Sequence, residues 1–521
     1  MIDEPPRIAA QNNDRSVNSI ERPGAVAVIG AGPHGLTALK SLLAHGIPAD
    51  GFDRADGVGG NWRFGAPTSR VYESTHLISS KPFTQFPDFP MPDDYPDYPG
   101  HRQVLAYFER YAEHFGVGER YLFDIEVVAV QEVADGPPGA FGGPCWDVTI
   151  RRADAGEVPG TGGGSDAYRS PTTTLRYDAV VIANGHNWSP KIPDYPGLHD
   201  FAGEVLHSAD YKSADQLRGK RVLVVGAGNT GCDIAVEAAQ NATAAFHSTR
   251  RGYWYNPKYA FGRPSDQVAD QLLALKLPLP VRRAMYTGMH KLIVGDYTRY
   301  GLREPDHAFY ETHPVVNQNL VYYIGHGDID PRPDVAAFDA NGATFTDGTR
   351  ADVDVVVFAT GYLARFDFLA DPNVLGLRDG RPTLGLQMAS PTHPNVWVSG
   401  LIQPDSGQWA IAHWQGEVIA TFLDVARWDP AAARQVHDQV MAERDRRFSG
   451  GAAYKDSSRH YYEIAHQDYL ESLQRVLTEL SECGPPPTGS NQPAATSLDS
   501  GEGTHPATVS SPAVADPLPV A

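Results

Sequence analysis

Cysteine is scarce: Cys145, Cys232 and Cys483 are the only three in 521 residues, and no CxxC pair occurs. That excludes a disulfide framework, a Cys-rich metal centre and a dithiol redox site, and it fits a reducing, cytoplasmic setting. Basic residues are also short, 43 Lys and Arg against 63 Asp and Glu, for a formal net charge of -20. Nucleic acid and anionic membrane surfaces bind through excess positive charge, so neither is expected as a partner. No run of about 18 apolar residues occurs, which leaves no candidate membrane span. Met1 to Arg22 is polar and mixed in charge, without the apolar core of a signal peptide.

What the chain does have is a set of short apolar runs that end in glycine. Ala25-Val-Ala-Val-Ile29 runs into Gly30-Ala-Gly32-Pro33-His-Gly35 and then a helical stretch, Leu36 to His45. This spacing suits a dinucleotide: Gly30 allows the tight turn, Gly32 lets backbone approach the diphosphate, and Gly35 permits close helix–strand packing. The alternative is a tight turn with no ligand. Asp53, at the end of a second short strand, stands where a carboxylate accepts ribose hydroxyls. Gly59, Gly60, Asn61, Trp62 and Arg63 follow, with consecutive glycines that let backbone lie close to a cofactor.

Arg221-Val-Leu-Val-Val225 and Gly226-Ala-Gly228-Asn229-Thr230-Gly231 repeat the construction. The strand expected next ends in Ser248, Thr249, Arg250 and Arg251 rather than in a carboxylate. Hydroxyls and guanidinium groups suit a 2'-phosphate, which points to NADPH over NADH. A third run, Val353 to Ala359, ends in Thr360-Gly361-Tyr362. Strands alternating with helical patterns imply parallel βαβ units, and two dinucleotide sites in one chain imply electron transfer between two cofactors.

The stretch Phe201-Ala-Gly203-Glu-Val-Leu-His207-Ser-Ala-Asp-Tyr211-Lys212 resembles the FxGxxxHxxxY fingerprint of class B flavoprotein monooxygenases, and specifically of flavin-containing monooxygenases. The related Baeyer–Villiger branch usually has tryptophan where Tyr211 stands. Gly185 to Pro190, Phe358 to Tyr362 and Phe86 to Pro92 resemble family segments too, so the resemblance runs from about Val26 to Gly416. It implies an α/β fold of two Rossmann-like dinucleotide-binding domains, the NADPH domain inserted in a discontinuous FAD domain. The division expected is a flexible arm over 1–24, FAD domain over 25–207 and 324–428, NADPH domain over 208–323, C-terminal helices over 429–483, and a disordered tail over 484–521. The tail's 38 residues hold eight prolines and no aromatic residue, too little apolar surface to repay ordering. The glycine-rich stretch Asp135 to Thr174 reads as a loop-bearing insertion between strands of a small antiparallel sheet.

The resemblance further implies FAD and NADPH as cofactors. NADPH reduces the flavin, O2 adds at flavin C4a, and the resulting (hydro)peroxide oxidises a small organic substrate, with NADP+ staying bound. Tyr211 inclines the reading toward oxygenation at nitrogen or sulfur; the alternatives are Baeyer–Villiger oxidation of a ketone, or NADPH oxidase or dehydrogenase activity without productive oxygen transfer. Partners are O2 and that substrate, with a homodimer possible.

One departure matters: where the family commonly has an asparagine facing the flavin, this chain has Ile78, so either Ser79, Ser80 or His76 substitutes or the peroxide is held differently. The groups expected at the chemistry are therefore His207, Tyr211, Ser79 and Ser80. His207 either couples cofactor motion to closure or is a hydrogen-bonded structural histidine. Trp409, His413 and Trp414 either line an apolar substrate cavity or belong to the core. No metal-ligand set stands out.

Overall fold

The computed structural model describes residues 19–134, 136–153, 172–273, 275–378, 380–454 and 461–483. Most of the arm, residues 135 and 154–171 of the 135–174 insertion and the 484–521 tail lie outside the described residues.

Two sheets organise the chain. The first is built from β1 (Ile20–Ile29), β2 (Ala49–Phe52), β3 (Tyr121–Leu122), β4 (Ile125–Glu132), β5 (Trp146–Arg152) and β6 (Thr173–Ile182), in the order β3-β2-β1-β6-β5-β4. Its β3, β2, β1 and β6 run parallel, and α1 (Pro33–Ala44) crosses from β1 to β2. β5 pairs antiparallel to both β4 and β6. The antiparallel strands thus extend the main sheet and do not form a separate small one. β1 begins earlier than its apolar run: Ile20 to Arg22 pair with β6, across an irregularity before Val26. Polar contacts hold this part, since the Arg22 guanidinium bonds the buried Asp50 carboxylate at 2.9 and 3.1 Å and Gly24 N–H donates to Asp178 at 2.9 Å. Residues 20–24 therefore belong to the fold and not to an arm, because paired charge here substitutes for apolar burial.

The second sheet holds β7 (Glu204–His207), β8 (Arg221–Val225), β9 (Ala244–Ser248), β10 (Ile329–Arg332) and β11 (Val355–Phe358), all parallel, in the order β10-β9-β8-β11-β7. Helix α2 (His101–His114) precedes β3 of the first sheet, and helix α3 (Asn229–Asn241) follows β8. Three of these strands, β7, β10 and β11, fall outside the 208–323 span read from the sequence. The second unit therefore takes its edges from chain on both sides of that span. After a hairpin region over 335–352, the chain returns to the first sheet through β12 (Val396–Val398), which pairs parallel with β6.

Helix α4 (Trp409–Trp428) then packs on α1. Gly416 makes this possible, since a Cβ there would stand 2.8 Å from the Thr37 carbonyl oxygen. Thr37 Oγ1 also donates to Ala412 O at 2.8 Å. The C-terminal helices α5 (Pro430–Ala442) and α6 (His466–Ser481) insert Val436, Val440, Tyr469 and Leu473 into the same core. They are bracing elements: Gln415 Nε2 donates to Tyr469 Oη at 2.8 Å, which donates to Leu386 O at 2.7 Å. Among the described residues no helix is long and apolar enough to cross a membrane.

Candidate functional site

The two glycine turns are built alike. Gly30 has φ +112° and Gly226 +123°, a region that only glycine enters easily. A Cβ on either would stand 2.4 Å from a main-chain oxygen, Ala183 O in the first case and Ala359 O in the second. Those residues continue the neighbouring parallel strand, and their N–H groups bond Ile29 O at 2.8 Å and Val225 O at 2.9 Å. Gly35 and Gly231 lie so close to the turn that a Cβ would meet Gly30 O at 1.8 Å and Gly226 O at 2.0 Å. The first carbonyl of each turn is held by a side chain absent from the sequence reading. Tyr121 Oη donates to Gly30 O at 3.1 Å, and His247 Nε2 meets Gly226 O at 2.9 Å. His247 is wholly buried, and desolvation lowers its pKa to about 4.

Gly32 and Gly228 cap α1 and α3 without a side-chain bond, so the first N–H groups of each helix face outward. Pro33 opens α1, where its missing N–H costs nothing. Gly60 lies against Gly32, and a Cβ on it would be 2.9 Å from Gly32 Cα. Gly59 N–H donates to Ala31 O at 2.9 Å. The first turn is thus a cradle walled by glycine backbone, which a diphosphate fits and a side chain would fill. Asp53 is held beside it, accepting from Ala31 N at 2.6 Å and Ala55 N at 2.8 Å. Burial raises its pKa against the pull of those two bonds. Trp62 meets Trp409 edge to face at 6.0 Å, and Arg63 is engaged by Asp56 at 2.5 Å and Glu109 at 3.3 Å.

Around the second turn the residues divide. The Asn229 amide is used internally, donating to Pro314 O at 3.1 Å and accepting from Val316 N at 2.7 Å. Thr230 is half-buried on the first turn of α3. Ser248 Oγ donates to Pro333 O at 2.7 Å and is buried, while buried Thr249 donates its N–H to Arg332 O at 2.9 Å. Arg250 is exposed, and Arg251 lies 5.6 Å over the Tyr253 ring. A third arginine joins them: exposed Arg303 donates to Arg250 O at 2.8 Å. Its approach depends on Gly252, where a Cβ would be 2.0 Å from Glu304 O.

The fingerprint is anchored on the second sheet, whose edge strand β7 ends in His207. His207 Nδ1 accepts from Ala209 N at 3.0 Å, so the proton sits on Nε2, which donates to Gly361 O at 3.1 Å. Burial lowers its pKa and keeps the ring neutral. The Tyr362 ring stands edge-on to it at 5.1 Å. Thr360 Oγ1 donates to Lys191 O, and Lys191 N–H to Gly361 O at 3.0 Å. Tyr211 is fully buried and donates to Glu237 of α3, beside Tyr72, whose hydroxyl donates to Asp233 at 2.7 Å. Burial raises the pKa of both carboxyls. Ser79 and Ser80 form a separate group: Ser79 Oγ bonds Thr84 Oγ1 at 2.7 Å, and Ser80 N–H donates to Asp266 at 2.5 Å. His207, Tyr211 and the two serines therefore have different partners and share no hydrogen bond. Trp409 belongs to the core, packed among Phe86, Tyr107 and Phe108.

The sequence profile of the flavin-binding monooxygenase-like family matches residues 24–482. This chain belongs to that family. It is 30% identical to flavin-containing monooxygenase 5 of Rattus norvegicus over 467 residues, 87% of this chain and 81% of the relative. It is 31% identical over 431 residues to indole-3-pyruvate monooxygenase YUCCA1 of Oryza sativa subsp. japonica, covering 81% of this chain and 93% of the relative. An open structure of cyclohexanone monooxygenase superposes with a TM-score of 0.64 over 89% of this chain and 98% of that one, at 19% identity. The protein is accordingly an FAD-dependent monooxygenase that uses NADPH.

Proposed function

We propose that this monooxygenase transfers one oxygen atom from O2 to a nitrogen or sulfur atom of a small organic substrate, at the expense of NADPH. The observation that carries the reading is the pair of matched glycine turns, each opening a helix at the C-terminal ends of paired parallel strands. We read these as two Rossmann-like units, the NADPH unit inserted in a discontinuous FAD unit. When bound, the flavin supplies hydride acceptance from NADPH and activation of O2.

The chain's own groups position the reactants. Gly30, Gly32, Pro33, Gly35 and Gly60 form the cradle for the FAD diphosphate, Asp53 takes the ribose, and Trp62 walls the cofactor with Arg63 anchoring its segment. Gly226, Gly228, Thr230 and Gly231 receive the NADPH diphosphate, and Asn229 braces that turn. Arg250 and Arg251, joined by Arg303, hold the 2'-phosphate, while Ser248 and Thr249 fix the strand end from which the arginines project. Neutral His207 and the Thr360-Gly361-Tyr362 segment form the joint between the units, and Tyr211 secures the linker to α3. Choice of nitrogen or sulfur is supported by relatives such as dimethylaniline monooxygenase [N-oxide-forming] 2 of Oryctolagus cuniculus, 33% identical over 418 residues.

Ile78 favours a second reading, NADPH oxidation that ends in H2O2. Its apolar side chain offers no hydrogen bond, and the neighbouring Ser79 hydroxyl is bonded to Thr84. The test is turnover of purified holoenzyme with NADPH, isotopically labelled O2 and a panel of thioethers, amines and ketones. A labelled sulfoxide or N-oxide formed in step with NADPH consumption supports oxygenation. H2O2 alone across the panel would overturn it.

A further inference from the structure

Residues 69–80 form a strap that enters both cores. At its start, Ser69 Oγ donates to Asn61 O at 3.0 Å and Arg70 N–H to Asn61 Oδ1 at 2.7 Å, which ties it to the segment packed on the first glycine turn. In its middle, Tyr72 is buried in the core of the second sheet, with its ring 5.6 Å from that of Tyr211. Further along, Leu77 is buried in the core of the first sheet. Ile78, which stands where the family commonly has asparagine, follows it directly.

Helix α3 of the second sheet grips this strap. Asp233 and Glu237 are one helical turn apart and share a face of α3. Tyr72 Oη donates to Asp233 Oδ2 at 2.7 Å, and Ser74 Oγ donates to Glu237. Between these two rungs, Glu73 N–H donates to Lys212 O at 2.8 Å, and Lys212 Nζ donates to Ser69 O at 2.9 Å. The other Asp233 oxygen accepts from Asn317 Nδ2 at 2.6 Å. Its neighbour Val316 donates its N–H to Asn229 of the second glycine turn at 2.7 Å. Asp233 therefore stands one turn into the helix whose first N–H groups are expected to meet the NADPH diphosphate, and it is bonded to the strap that carries Ile78. A hydroxyl held by a carboxylate is a strong, directed contact, so the pair fixes a separation.

We propose that Asp233 is a positioning residue for flavin reduction, holding the strap at a set distance from the NADPH turn through the Tyr72 hydroxyl. Hydride transfer needs the two rings in close, aligned contact, and a displacement of about 1 Å caused by a remote change can cost about 100-fold. The effect on reduction rests on assigning the two glycine turns to FAD and NADPH; the hold on the strap does not.

Removing one hydroxyl tests it. Tyr72→Phe keeps the ring in its core, and Asp233→Asn keeps the shape of the side chain. In stopped-flow experiments on holoenzyme, each should slow flavin reduction at saturating NADPH by about tenfold while the NADPH Kd stays within about twofold. The double variant should be no slower than the slower single one, because both remove the same bond. The long-wavelength charge-transfer absorbance of NADP+ against reduced flavin, which reports how the rings stack, should weaken in the same variants. In apoprotein, hydrogen–deuterium exchange over residues 69–80 should quicken in Tyr72→Phe. Wild-type reduction rates in both folded single variants would overturn the proposal, as would additive losses in the double variant. A weakened NADPH Kd that accounts for the whole loss, or unchanged exchange over the strap, would overturn it too. If either variant fails to fold, Ser74→Ala removes the neighbouring rung and carries the same expectations. Quickened exchange in Tyr72→Phe together with a wild type that NADPH does not reduce would count against the assignment of the turns alone.

Discussion

Replacing Gly32 with alanine separates the cofactor's demand for glycine from the fold's. Gly32 has φ -75° and ψ -178°, which alanine adopts freely. A Cβ there would meet nothing nearer than Gly60 Cα at 3.8 Å, an ordinary contact. The free chain should therefore fold normally, with about 0.4–1 kcal/mol to gain from a less flexible unfolded state. Gly30→Ala is the opposite case, with φ +112° and a Cβ only 2.4 Å from Ala183 O. The backbone conformation alone costs about 1–3 kcal/mol there, before the clash is counted. For the cofactor the order reverses at Gly32, because its open side is where the diphosphate is expected to approach the N–H groups that start α1. A methyl in that space displaces the phosphate from at least one charge-assisted bond, about 1.5–3 kcal/mol, or about 10- to 150-fold in FAD Kd. Flavin fluorescence titration of apoprotein, with melting temperatures of both variants, gives the comparison. An unchanged FAD Kd in folded Gly32→Ala would refute the cradle. A Gly30→Ala variant as stable as Gly32→Ala would refute the steric argument beneath it.

Arg303→Ala should weaken NADPH binding by about tenfold or more while leaving NADH binding and the saturated rate of flavin reduction nearly unchanged, and Arg250→Ala should do the same. Stopped-flow reduction with both coenzymes reads this, and equal losses for NADPH and NADH would return both arginines to a structural role. His247 is held neutral with a pKa of about 4 against an ordinary 6.5, so the unfolded chain takes up its proton first as the pH falls. The stability from this depressed pKa is complete above pH 6.5 and is lost toward pH 4, about 2 kcal/mol by pH 5. Denaturant unfolding of wild type and His247→Gln at neutral pH and near pH 5 should show wild type losing that much more; parallel losses would sink the assignment.

The strands that sequence reading located are those whose signal is local. Ala25 to Ile29, Arg221 to Val225 and Val353 to Ala359 are apolar runs stopped by a residue that only a turn explains. Which sheet each run joins is not local. β7 carries Val205, 39% exposed, and enters the second sheet only by pairing with β11, some 150 residues later. The same limit applies to the site. The need for Gly30, Gly35, Gly226 and Gly231 is steric and can be read from spacing. Tyr121, His247, Arg303 and Asp266 reach their places from other elements, and nothing in their flanking residues announces the contact. Ser248 stood at the right position for a phosphate, but the register Ser248↔Arg332 sets it beside Pro333, whose carbonyl takes the hydroxyl.

The fingerprint shows why a strong family signal says little about substrate. In Phe201 to Tyr211, Gly203 is needed because a Cβ would stand 2.4 Å from the Phe201 ring and 2.5 Å from Asp354 O. His207, four residues on, ends β7 and spends both ring nitrogens on the backbone. Tyr211, another four on, is buried against Tyr72 and reaches Glu237. Each fixed position thus holds the linker to the second sheet or its helix α3, and Tyr211 has no open face with which to meet a substrate. Exchange of tyrosine for tryptophan there would alter the fit of the linker on α3 before it altered the reacting atom. Selection of substrate has to lie in groups that face open space.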